Sequence, residues 1–430
     1  MKKVLERVPG YDKLVLPIHK ARAINAANKL NYPATAMKVI GVTGTNGKTT
    51  TCFMIYKMLS EAGYKVGLST TVAWGVGGQI HSQNEHMTTE TPMKLNQRMK
   101  EIADAGAEFL VLEVSSHALS QYRTFGIPFD SVVMTNLTHE HLDYHRTFKN
   151  YREAKLKLFK AANKTVGGKH IGIINADDPS AVYFKRAIEM PMTYGIDRGD
   201  IQARQIKLDN DGVEYFVKCD GRKLHIRTQI PGVFNVYNSL AAAAIGIVYG
   251  LDNEYIERGI HSLKYIEGRM NHVDEGQNFE VMVDYAHTPD SFKKLLPTMK
   301  KNTDGRVIVL FGSAGGRRDP GKRRPMGEIA GRHSDIVILT EEDDRDTPGK
   351  EILEQIARGA EKSGKVRDKN LFLIADRETA IKFALKTAKK GDLLLLLGKG
   401  NEKTIERADG SHPWNESEVV RKLLKKLQSK

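Results

Sequence analysis

Gly41-Val42-Thr43-Gly44-Thr45-Asn46-Gly47-Lys48-Thr49-Thr50 decides the fold, because it lies between an apolar run and a run with helical spacing. Residues 37–42 have the pattern of a short buried strand, and residues 49–62 have that of a helix. Glycines at such a turn let backbone N–H groups converge on an anion at the helix N-terminus. The stretch therefore predicts a phosphate-binding loop, in which Lys48 reaches the β- and γ-phosphates and the Thr49 hydroxyl ligates Mg²⁺. The expected nucleotide contacts are Gly44, Thr45, Asn46, Gly47, Lys48, Thr49 and Thr50.

Composition narrows the class of protein. The 430 residues, 40% hydrophobic and 27% charged, suffice for two or three globular domains. No apolar run approaches the ~20 residues of a membrane span, and the N-terminus lacks the apolar segment of a signal peptide, so we expect a cytoplasmic protein. The formal charge is +14, but the basic residues are scattered, which favours small polyanionic substrates over nucleic acid. Neither Cys52 nor Cys219 has metal-like spacing. We expect a monomer.

From residue 38 to about residue 200, short Val, Ile and Leu runs alternate with helical stretches, which is typical of a parallel sheet covered by helices. The strands predicted after the first are residues 65–69, 109–114, 131–134 and 171–175. Between residues 201 and 229 the pattern changes to period two, which predicts a small antiparallel patch. A helix-rich stretch over residues 236–263 completes this unit.

A second alternation of strands and helices begins after Gly268. Its predicted strands are residues 279–283, 307–311, 336–339, 371–374 and 393–397, and a lysine-rich helix over residues 416–427 ends the chain. We therefore predict an α/β protein: a short segment over residues 1–37, a central P-loop domain over 38–267 and a Rossmann-like domain over 268–430.

Gly44-Thr45-Asn46-Gly47-Lys48-Thr49 resembles the ATP loop of the Mur ligase superfamily, the amide-forming ligases of cell-wall peptide synthesis and folate polyglutamylation. The resemblance extends through most of the chain from residue 38. It is closest to the members that add the third amino acid to a UDP-N-acetylmuramoyl dipeptide. Cell-wall members carry a uridine-binding domain before this loop. The 36 residues here are too few for one, so the resemblance implies a vestigial N-terminal segment.

Three side chains are candidate metal ligands and catalytic groups beside Lys48. Glu113 ends a predicted strand at the carboxyl edge of the sheet, where ligands bind, although it could instead cap the segment that follows. His141 lies in Thr135-Asn136-Leu137-Thr138-His139-Glu140-His141-Leu142-Asp143-Tyr144-His145, whose histidines leave a zinc hydrolase as an alternative. Lys155 by itself reads as a surface lysine. The resemblance implies two Mg²⁺ sites held by Thr49, Glu113, His141 and a carbamylated Lys155.

The resemblance also assigns the nucleotide and acceptor contacts. Asn235 and Asn238, in Phe234-Asn235-Val236-Tyr237-Asn238, would lie near adenine. Other ATP contacts would come from Arg269, Asp284 and His287. The expected acceptor contacts are Thr88, Thr89, Ser115, Gln121 and Arg123.

The incoming amino acid would be bound by the last domain. Thr340-Glu341-Glu342-Asp343-Asp344-Arg345 falls where diaminopimelate-adding members have Asp-Asn-Pro-Arg, and Gly398-Lys399-Gly400-Asn401-Glu402 matches Gly-Lys-Gly-His-Glu except at Asn401. Arg345 favours an amino acid with a distal carboxylate, meso-diaminopimelate, and Glu402 could hold its ammonium. The expected contacts are Arg323, Asp343, Asp344, Arg345, Gly398 and Glu402.

These residues predict an ATP- and Mg²⁺-dependent ligase that adds an amino acid to a UDP-N-acetylmuramoyl dipeptide through an acyl-phosphate. One alternative is a ligase of the same scaffold with a non-UDP acceptor, of the folylpolyglutamate or glutamate-polymer type. Another is a P-loop protein that binds or hydrolyses ATP without ligation.

Overall fold

Two β-sheets with helices packed on them organise the chain. The computed structural model describes residues 11–83, 87–209, 211–219, 221–316 and 318–428. Strands β1 to β11 are Lys38–Thr43, Val66–Ser69, Ala73–Val76, Gln79–Ser82, Phe109–Glu113, Phe129–Met134, Ile171–Asn175, Met190–Gly195, Ile201–Asp209, Gly212–Cys219 and Arg222–Thr228. Strands β12 to β19 are Asn271–His272, Glu280–Asp284, Val307–Phe311, Ile336–Leu339, Leu371–Leu373, Leu393–Leu397, Thr404–Arg407 and Gly410–Pro413.

Helices connect most of the parallel strands. Helices α1 to α7 are Tyr11–Lys29, Lys48–Glu61, Pro92–Asp104, Ser116–Ser120, Leu142–His145, Phe148–Ala162 and Ala181–Lys185. Helices α8 to α14 are Val233–Val248, Asn253–His261, Pro289–Lys301, Arg323–His333, Gly349–Lys362, Arg377–Thr387 and Glu416–Gln428. Short 3₁₀ turns occupy Pro33–Ala36 and Pro320–Lys322. None of the helices in the described ranges combines the length and hydropathy that a bilayer crossing requires.

The first sheet has eleven strands in the order β11-β10-β9-β8-β7-β6-β1-β5-β2-β3-β4. Its centre is parallel, as predicted, and β1 lies between β5 and β6. The predicted antiparallel patch, β9 to β11, is not separate: β8 and β9 pair at Tyr194 and Ile201, so it extends the same sheet. The predicted α/β architecture is confirmed.

The second sheet has the order β12-β13-β17-β14-β15-β16 and is parallel except at β12. Its five parallel strands are the five apolar runs of the sequence. β17, Leu-Leu-Leu-Leu-Leu, is buried throughout, as expected of a strand covered on both faces.

Helices pack on both faces of the first sheet. Buried side chains of α2 and α8 belong to one apolar cluster, and those of α3 and α6 belong to another. Gly259 of α9 lies so close to α2 that a Cβ would stand 2.3 Å from the Cα of Met58. This packing fixes α2, whose N-terminus carries the phosphate loop.

The parallel register brings the candidate site together. Val42 of β1 lies opposite Glu113 of β5, and Thr43 lies opposite Met134 of β6. The carboxyl ends of the three strands therefore meet at one edge, which is where open α/β sheets bind ligands.

Candidate active site

The loop between β1 and α2 is held from both sides by backbone and side-chain hydrogen bonds. Asn136, which follows β6, accepts from the Asn46 N–H at 2.9 Å and donates to the Asn46 carbonyl at 3.0 Å. Thr138 N–H donates to the Thr45 hydroxyl at 2.9 Å. Lys48 Nζ donates to the Thr45 carbonyl at 2.8 Å, so its ammonium lies over the loop. The loop is thus shaped before any phosphate binds.

Gly47 is the N-cap of α2 and has a φ of +81°. A Cβ at this position would lie 2.2 Å from Oδ1 of Asn238, in α8. The glycine is therefore required both by its left-handed backbone and by the approach of a neighbouring helix.

Glu113 stands where a magnesium ligand is expected. Its Oε2 accepts from the Thr49 hydroxyl at 2.9 Å and from the Thr71 N–H at 2.9 Å, and the residue is 1% exposed. Ser115, not Glu113, caps α4, since its hydroxyl accepts from Ala118 N–H at 3.2 Å. A carboxylate and a hydroxyl beside the phosphate loop are the hard oxygen donors that Mg²⁺ prefers.

His141 belongs to a group of packed rings. Its ring lies 4.8 Å from that of His117, and His117 lies 5.5 Å from His145. Burial lowers the pKa of His141 to about 3, with smaller contributions from Arg318 and Lys155. The imidazole is therefore neutral at physiological pH and has a lone pair available for a metal. Within the described ranges, no three His, Cys, Asp or Glu side chains form a cluster arranged to hold a metal ion.

Lys155 is not a surface lysine. It is 1% exposed, and its Nζ donates to the Gly44 carbonyl at 2.6 Å. Burial lowers its pKa well below the usual value, and the nearby Lys48 lowers it further. Helix α6 thus delivers a buried amine directly beneath the phosphate loop.

The expected acceptor residues surround Glu113. The Thr89 hydroxyl donates to the Glu113 carbonyl at 3.0 Å and accepts from the Ser115 N–H at 3.0 Å. Arg123 donates to the Thr89 carbonyl at 2.7 Å and to Gln121 Oε1 at 2.6 Å. Thr88 is adjacent in sequence and partly exposed. Four of the five residues therefore form one hydrogen-bonded group beside the candidate metal site.

The two asparagines expected near adenine are buried at the start of α8. Asn235 Nδ2 donates to the Pro231 carbonyl at 2.7 Å, and its Oδ1 accepts from Asn238 at 2.9 Å. Asn238 Oδ1 also accepts from Thr51 at 3.4 Å. The Thr51–Asn238 hydrogen bond joins α8 to α2, and the packing of these two helices places both asparagines near the phosphate loop.

Three predicted ATP contacts come from the second sheet's unit. The Asp284 carboxylate accepts from the N–H groups of Met270 and Ala286, both at 2.8 Å, and burial raises its pKa. Arg269 lies over the Tyr285 ring at 4.3 Å. His287 Nε2 lies 3.2 Å from Oε1 of Glu140, the neighbour of His141. Of these three predicted ATP contacts, His287 reaches the first sheet's unit, whereas Asp284 and Arg269 contact residues of their own unit.

The candidate amino-acid pocket lies at the carboxyl edge of the second sheet. Arg323, 3% exposed, donates to Gln355 at 2.8 Å and to the Ala314 carbonyl at 3.1 Å. Arg345 Nη2 lies 3.6 Å from Asp343. Gly398 follows β17, and a Cβ there would stand 2.7 Å from Glu342 Oε2. The loops after β14, β15 and β17 therefore converge here.

Comparison with known proteins agrees with this geometry. The Mur ligase middle domain model matches residues 42–246, and the "Mur ligase, glutamate ligase domain" model matches residues 268–400. The UDP-N-acetylmuramyl-tripeptide synthetase of Treponema denticola is 40% identical over 428 residues, covering 95% of this chain and 80% of that protein. This chain belongs to the Mur ligase family.

Two further relatives place the chain within this family. The UDP-N-acetylmuramoyl-L-alanyl-D-glutamate--2,6-diaminopimelate ligase 1 of Clostridium acetobutylicum is 37% identical over 412 residues, covering 95% of this chain and 82% of that protein. The solved Mycobacterium tuberculosis folylpolyglutamate synthase, complexed with ADP and AMPPCP, has a TM-score of 0.71 at 15% identity and covers 95% of both chains. The latter likeness concerns the fold alone. As a Mur ligase, the chain is an ATP-dependent enzyme that forms amide bonds.

Sequence reasoning missed three residues that the structure places at this candidate site. Asn136 clamps the phosphate loop, and Glu140 bridges to His287. The Asp177 carboxylate accepts from the Ile196 N–H at 2.7 Å and from Tyr237 at 3.0 Å, which anchors α8. The position of Asn136 after a parallel strand was a usable signal, whereas the Asp177–Tyr237 and Glu140–His287 contacts join residues 60 and 147 positions apart.

Proposed function

We propose that this Mur ligase joins meso-diaminopimelate to the dipeptide of a UDP-N-acetylmuramoyl acceptor during peptidoglycan precursor synthesis. The Thr89–Glu113 hydrogen bond carries the proposal. The Thr89 hydroxyl donates at 3.0 Å to the main-chain carbonyl of Glu113, which ties the acceptor residues to the residue whose carboxylate is the candidate metal ligand. The names of the relatives from Clostridium acetobutylicum and Treponema denticola support this choice of substrates.

The chemistry requires an acceptor carboxylate to attack the γ-phosphate of ATP, giving an acyl-phosphate and ADP. The amine of the incoming amino acid then displaces phosphate and forms the amide. Lys48 would hold the phosphates, and Mg²⁺ would offset the repulsion between the anionic oxygens. Thr49, Glu113, His141 and Lys155 would hold two Mg²⁺ ions.

We propose further that Lys155 is carbamylated. A neutral amine reacts with CO₂, and a lowered pKa increases the neutral fraction at physiological pH. The carbamate would replace a buried cation with an oxygen ligand, which suits a site that must also bind Mg²⁺. Burial of Lys155, followed by the positive charge of the nearby Lys48, lowers its pKa, and this supports the proposal.

The domain boundary, the oligomeric state and the cellular location are proposed as well. We propose that the boundary between the ATP-binding and amino-acid-binding domains lies near Gly268, whose φ is +70° and where a Cβ would stand 2.1 Å from Asn401 N. We expect a monomer that works in the cytoplasm, where its nucleotide substrates are available.

The test measures ADP release and product mass with two sets of substrates. One reaction contains UDP-N-acetylmuramoyl-L-alanyl-D-glutamate and meso-diaminopimelate, and the other contains tetrahydrofolate and glutamate. We expect ADP release that depends on both substrates, and a ligated product, only in the first. Lys48→Ala should abolish this activity, whereas Lys20→Ala, on the exposed side of α1, should retain it. Ligation in the second reaction alone would identify a folylpolyglutamate-type enzyme, and ADP release without any product would refute ligation.

A further inference from the structure

The outer face of the antiparallel strands β9, β10 and β11 is strongly basic. Alternate residues of these strands are buried in the core, among them Tyr215 and Ile226, which are both fully buried. The residues between them point outward, as expected of an antiparallel sheet with one covered face. Five of these outward residues are exposed cations, which together we call the basic face: Arg204, Lys207, Lys218, Lys223 and Arg227. Cations that are scattered along the sequence are thus gathered on one surface.

A β-bulge in β9 brings two of these cations to the same side of the sheet. Arg204 lies opposite Phe216 and Lys207 lies opposite Glu214, so β9 has one residue more than β10 in this stretch. Without the extra residue, positions 204 and 207 would point to opposite sides, because side chains alternate along a strand. The bulge includes Gln205, a non-glycine residue with a φ of +54°. Such a backbone is costly, and residues held in it cluster at functional sites.

Lys218 and Lys223 form a cross-strand pair of like charge. They are direct partners in the register of β10 and β11, and both are exposed. Among the residues that the structure describes, no carboxylate forms an ion pair with either ammonium. Like charges directly opposite each other destabilise a sheet. A negatively charged ligand would replace this repulsion with attraction.

An exposed aromatic pair lies in the middle of the basic face. Phe216 is 40% exposed, and its ring stacks on that of His225 with centroids 4.4 Å apart and planes inclined by 9°. Two residues along the strands, about 6.7 Å, separate this pair from Lys218 and Lys223 on one side and from Arg227 on the other. Aromatic rings between cations suit a ligand that combines planar groups with repeated negative charges.

Two simpler explanations account for only part of this surface. Lysines on an edge strand keep other chains from pairing with it, but only β11 is an edge strand, and the basic face extends over β9 and β10. Neutralisation within the face is also incomplete. Glu214 lies 3.9 Å from Lys207 and 3.8 Å from Arg227, and Asp209 lies at the end of β9. The face therefore keeps an excess of positive charge.

We propose that the basic face binds single-stranded nucleic acid, with its cations on phosphates and Phe216 stacked against a base. Attraction to the phosphate backbone and stacking on aromatic rings are the two interactions by which proteins bind single strands without reading sequence. Tyr215 of the opposite, inner face lies 2.8 Å from Ser239 of α8. The bound strand would therefore lie across the sheet from α8 and its expected ATP contacts. Binding there is independent of the proposed ligation.

The first experiment titrates a fluorescein-labelled oligothymidylate of about 16 nucleotides, the upper end of known site sizes, with the full-length protein. Fluorescence anisotropy should give a Kd of about 1–100 μM near physiological salt. The double variant Lys218→Glu with Lys223→Glu should weaken binding by about 10-fold or more, because two phosphate contacts are lost. The slope of the logarithm of the binding constant against that of the salt concentration should become shallower by about 1.4.

A charge-matched double variant is the control for this experiment. Lys382 and Lys386 are exposed and four residues apart on α13, in the second sheet's unit. Lys382→Glu with Lys386→Glu changes the net charge equally but should keep the affinity within about 3-fold, because charges beyond about 8 Å are screened. If both double variants bind equally well, or if the wild-type protein does not bind the oligonucleotide, the inference is overturned.

The second experiment tests base stacking. Phe216→Ala should weaken oligothymidylate binding by about 5-fold or more, whereas Phe216→Tyr, which keeps the ring, should stay within about 2-fold of the wild-type protein. Polyphosphate, which has the negative charges but no bases, should bind both variants as it binds the wild-type protein. An unchanged affinity of Phe216→Ala for the oligonucleotide would overturn the assignment. Binding to anionic phospholipid vesicles, but not to the oligonucleotide, would overturn it as well.

A single substitution separates binding from folding. Lys218→Glu replaces a repulsive cross-strand pair with an attractive one, so the unfolding temperature should stay the same or rise. Oligonucleotide binding should nevertheless weaken, by about 3-fold or more. Should Lys218→Glu bind as tightly as the wild-type protein, the lysine pair does not contact the ligand and the inference fails.

Discussion

Lys155 shows how strongly a single position can depart from the behaviour of its residue type. A lysine on an amphipathic helix is usually solvated, yet this one is buried and its amine contacts the carbonyl of Gly44. Lys155 lies four residues after Tyr151 and four before Phe159, so the helical period places it on the apolar face of the helix, unlike the exposed lysines. Its role depends on which face of α6 meets the phosphate loop.

Carbamylation of Lys155 predicts a requirement for CO₂. Lys155→Ala and Lys155→Arg should each lower kcat by about 100-fold or more, because neither side chain supplies the oxygen ligand of a metal that stabilises the transition state. The wild-type enzyme should lose activity in CO₂-depleted buffer and regain it when bicarbonate is added. The exposed Lys157→Ala, two residues away, serves as the control. Full activity of the wild-type enzyme without CO₂ would contradict carbamylation.

The buried histidines predict how stability depends on pH. Burial is the main cause that lowers the pKa of His117, His141 and His145, to about 2, 3 and 4. In the unfolded chain the pKa is about 6.5, so at lower pH the unfolded state binds protons that the folded state does not. Stability should therefore be fully present above about pH 6.5 and fall as the pH decreases towards 4.

Thermal unfolding between pH 4 and pH 8 tests this dependence. His145→Asn should reduce the loss of stability at low pH, whereas His261→Asn, at an exposed position, should not change it. An identical pH dependence of the wild-type protein and His145→Asn would show that this histidine does not contribute.

At the scale of elements, the turn between β1 and α2 depends on the neighbouring helix α8 as well as on its own sequence. Gly47 and Gly63 lie at opposite ends of α2, and both have a left-handed backbone, with φ values of +81° and +89°. A Cβ on Gly47 would meet Asn238, whereas a Cβ on Gly63 would meet nothing within 4 Å. Alanine substitutions at the two glycines therefore distinguish the cost of a left-handed backbone from the cost of a clash with α8.

Gly63→Ala should cost about 1–2 kcal/mol of stability, from the left-handed backbone alone. Gly47→Ala should cost a further ~1–3 kcal/mol, because the methyl group displaces Asn238. It should also weaken ADP binding, which Gly63→Ala should leave intact. Urea unfolding and calorimetric titration with ADP measure both effects. Equal losses of stability for the two variants would mean that α8 moves aside without an energetic cost.

The helices and strands whose own residues carry a clear hydrophobic pattern were predictable from the sequence. The strand and helix around the phosphate loop were predicted at 37–42 and 49–62 and are observed at Lys38–Thr43 and Lys48–Glu61. The hairpin of β3 and β4 was missed, although Gly77-Gly78 between two short runs is a turn signal. Helix α1 was missed as well. Its sequence, with a proline at position 17, has a weak apolar periodicity that does not mark it as a helix.

The proximity of the candidate site residues was predictable only where one motif supplies them. Lys48, Thr49 and Glu113 follow from a loop and a strand end. The contacts of Asn238 with Thr51 of α2 and of Glu140 with His287 join residues far apart in sequence. Such contacts depend on how α8 and the second sheet are placed against the first, which local patterns do not specify.

At the scale of the whole molecule, side-chain bridges connect the first sheet's unit to the second. Asn46 Nδ2 of the phosphate loop donates to Asp290 Oδ2, at the start of α10, at 3.0 Å. His287 and Glu140 form another bridge at 3.2 Å, and His139 lies 3.6 Å from Asp319. A ligase that makes a hydrolysable acyl-phosphate must exclude water, so contacts that bring two halves of a site together affect catalysis.

Asp290→Ala removes the partner of Asn46 but substitutes no residue that is expected to contact a substrate. We expect kcat/KM for ATP to fall by about 10-fold, because misplacing the loop by a fraction of an ångström weakens the alignment of phosphate and acceptor. The radius of gyration in solution, measured by small-angle X-ray scattering with ADP present, should increase, because arrangements in which the two units lie farther apart gain population. Asp304→Ala, an exposed acid after α10, is the control and should change neither value. If Asp290→Ala keeps both values of the wild-type enzyme, this bridge does not hold the two units together, and the Glu140–His287 contact becomes the one to break next.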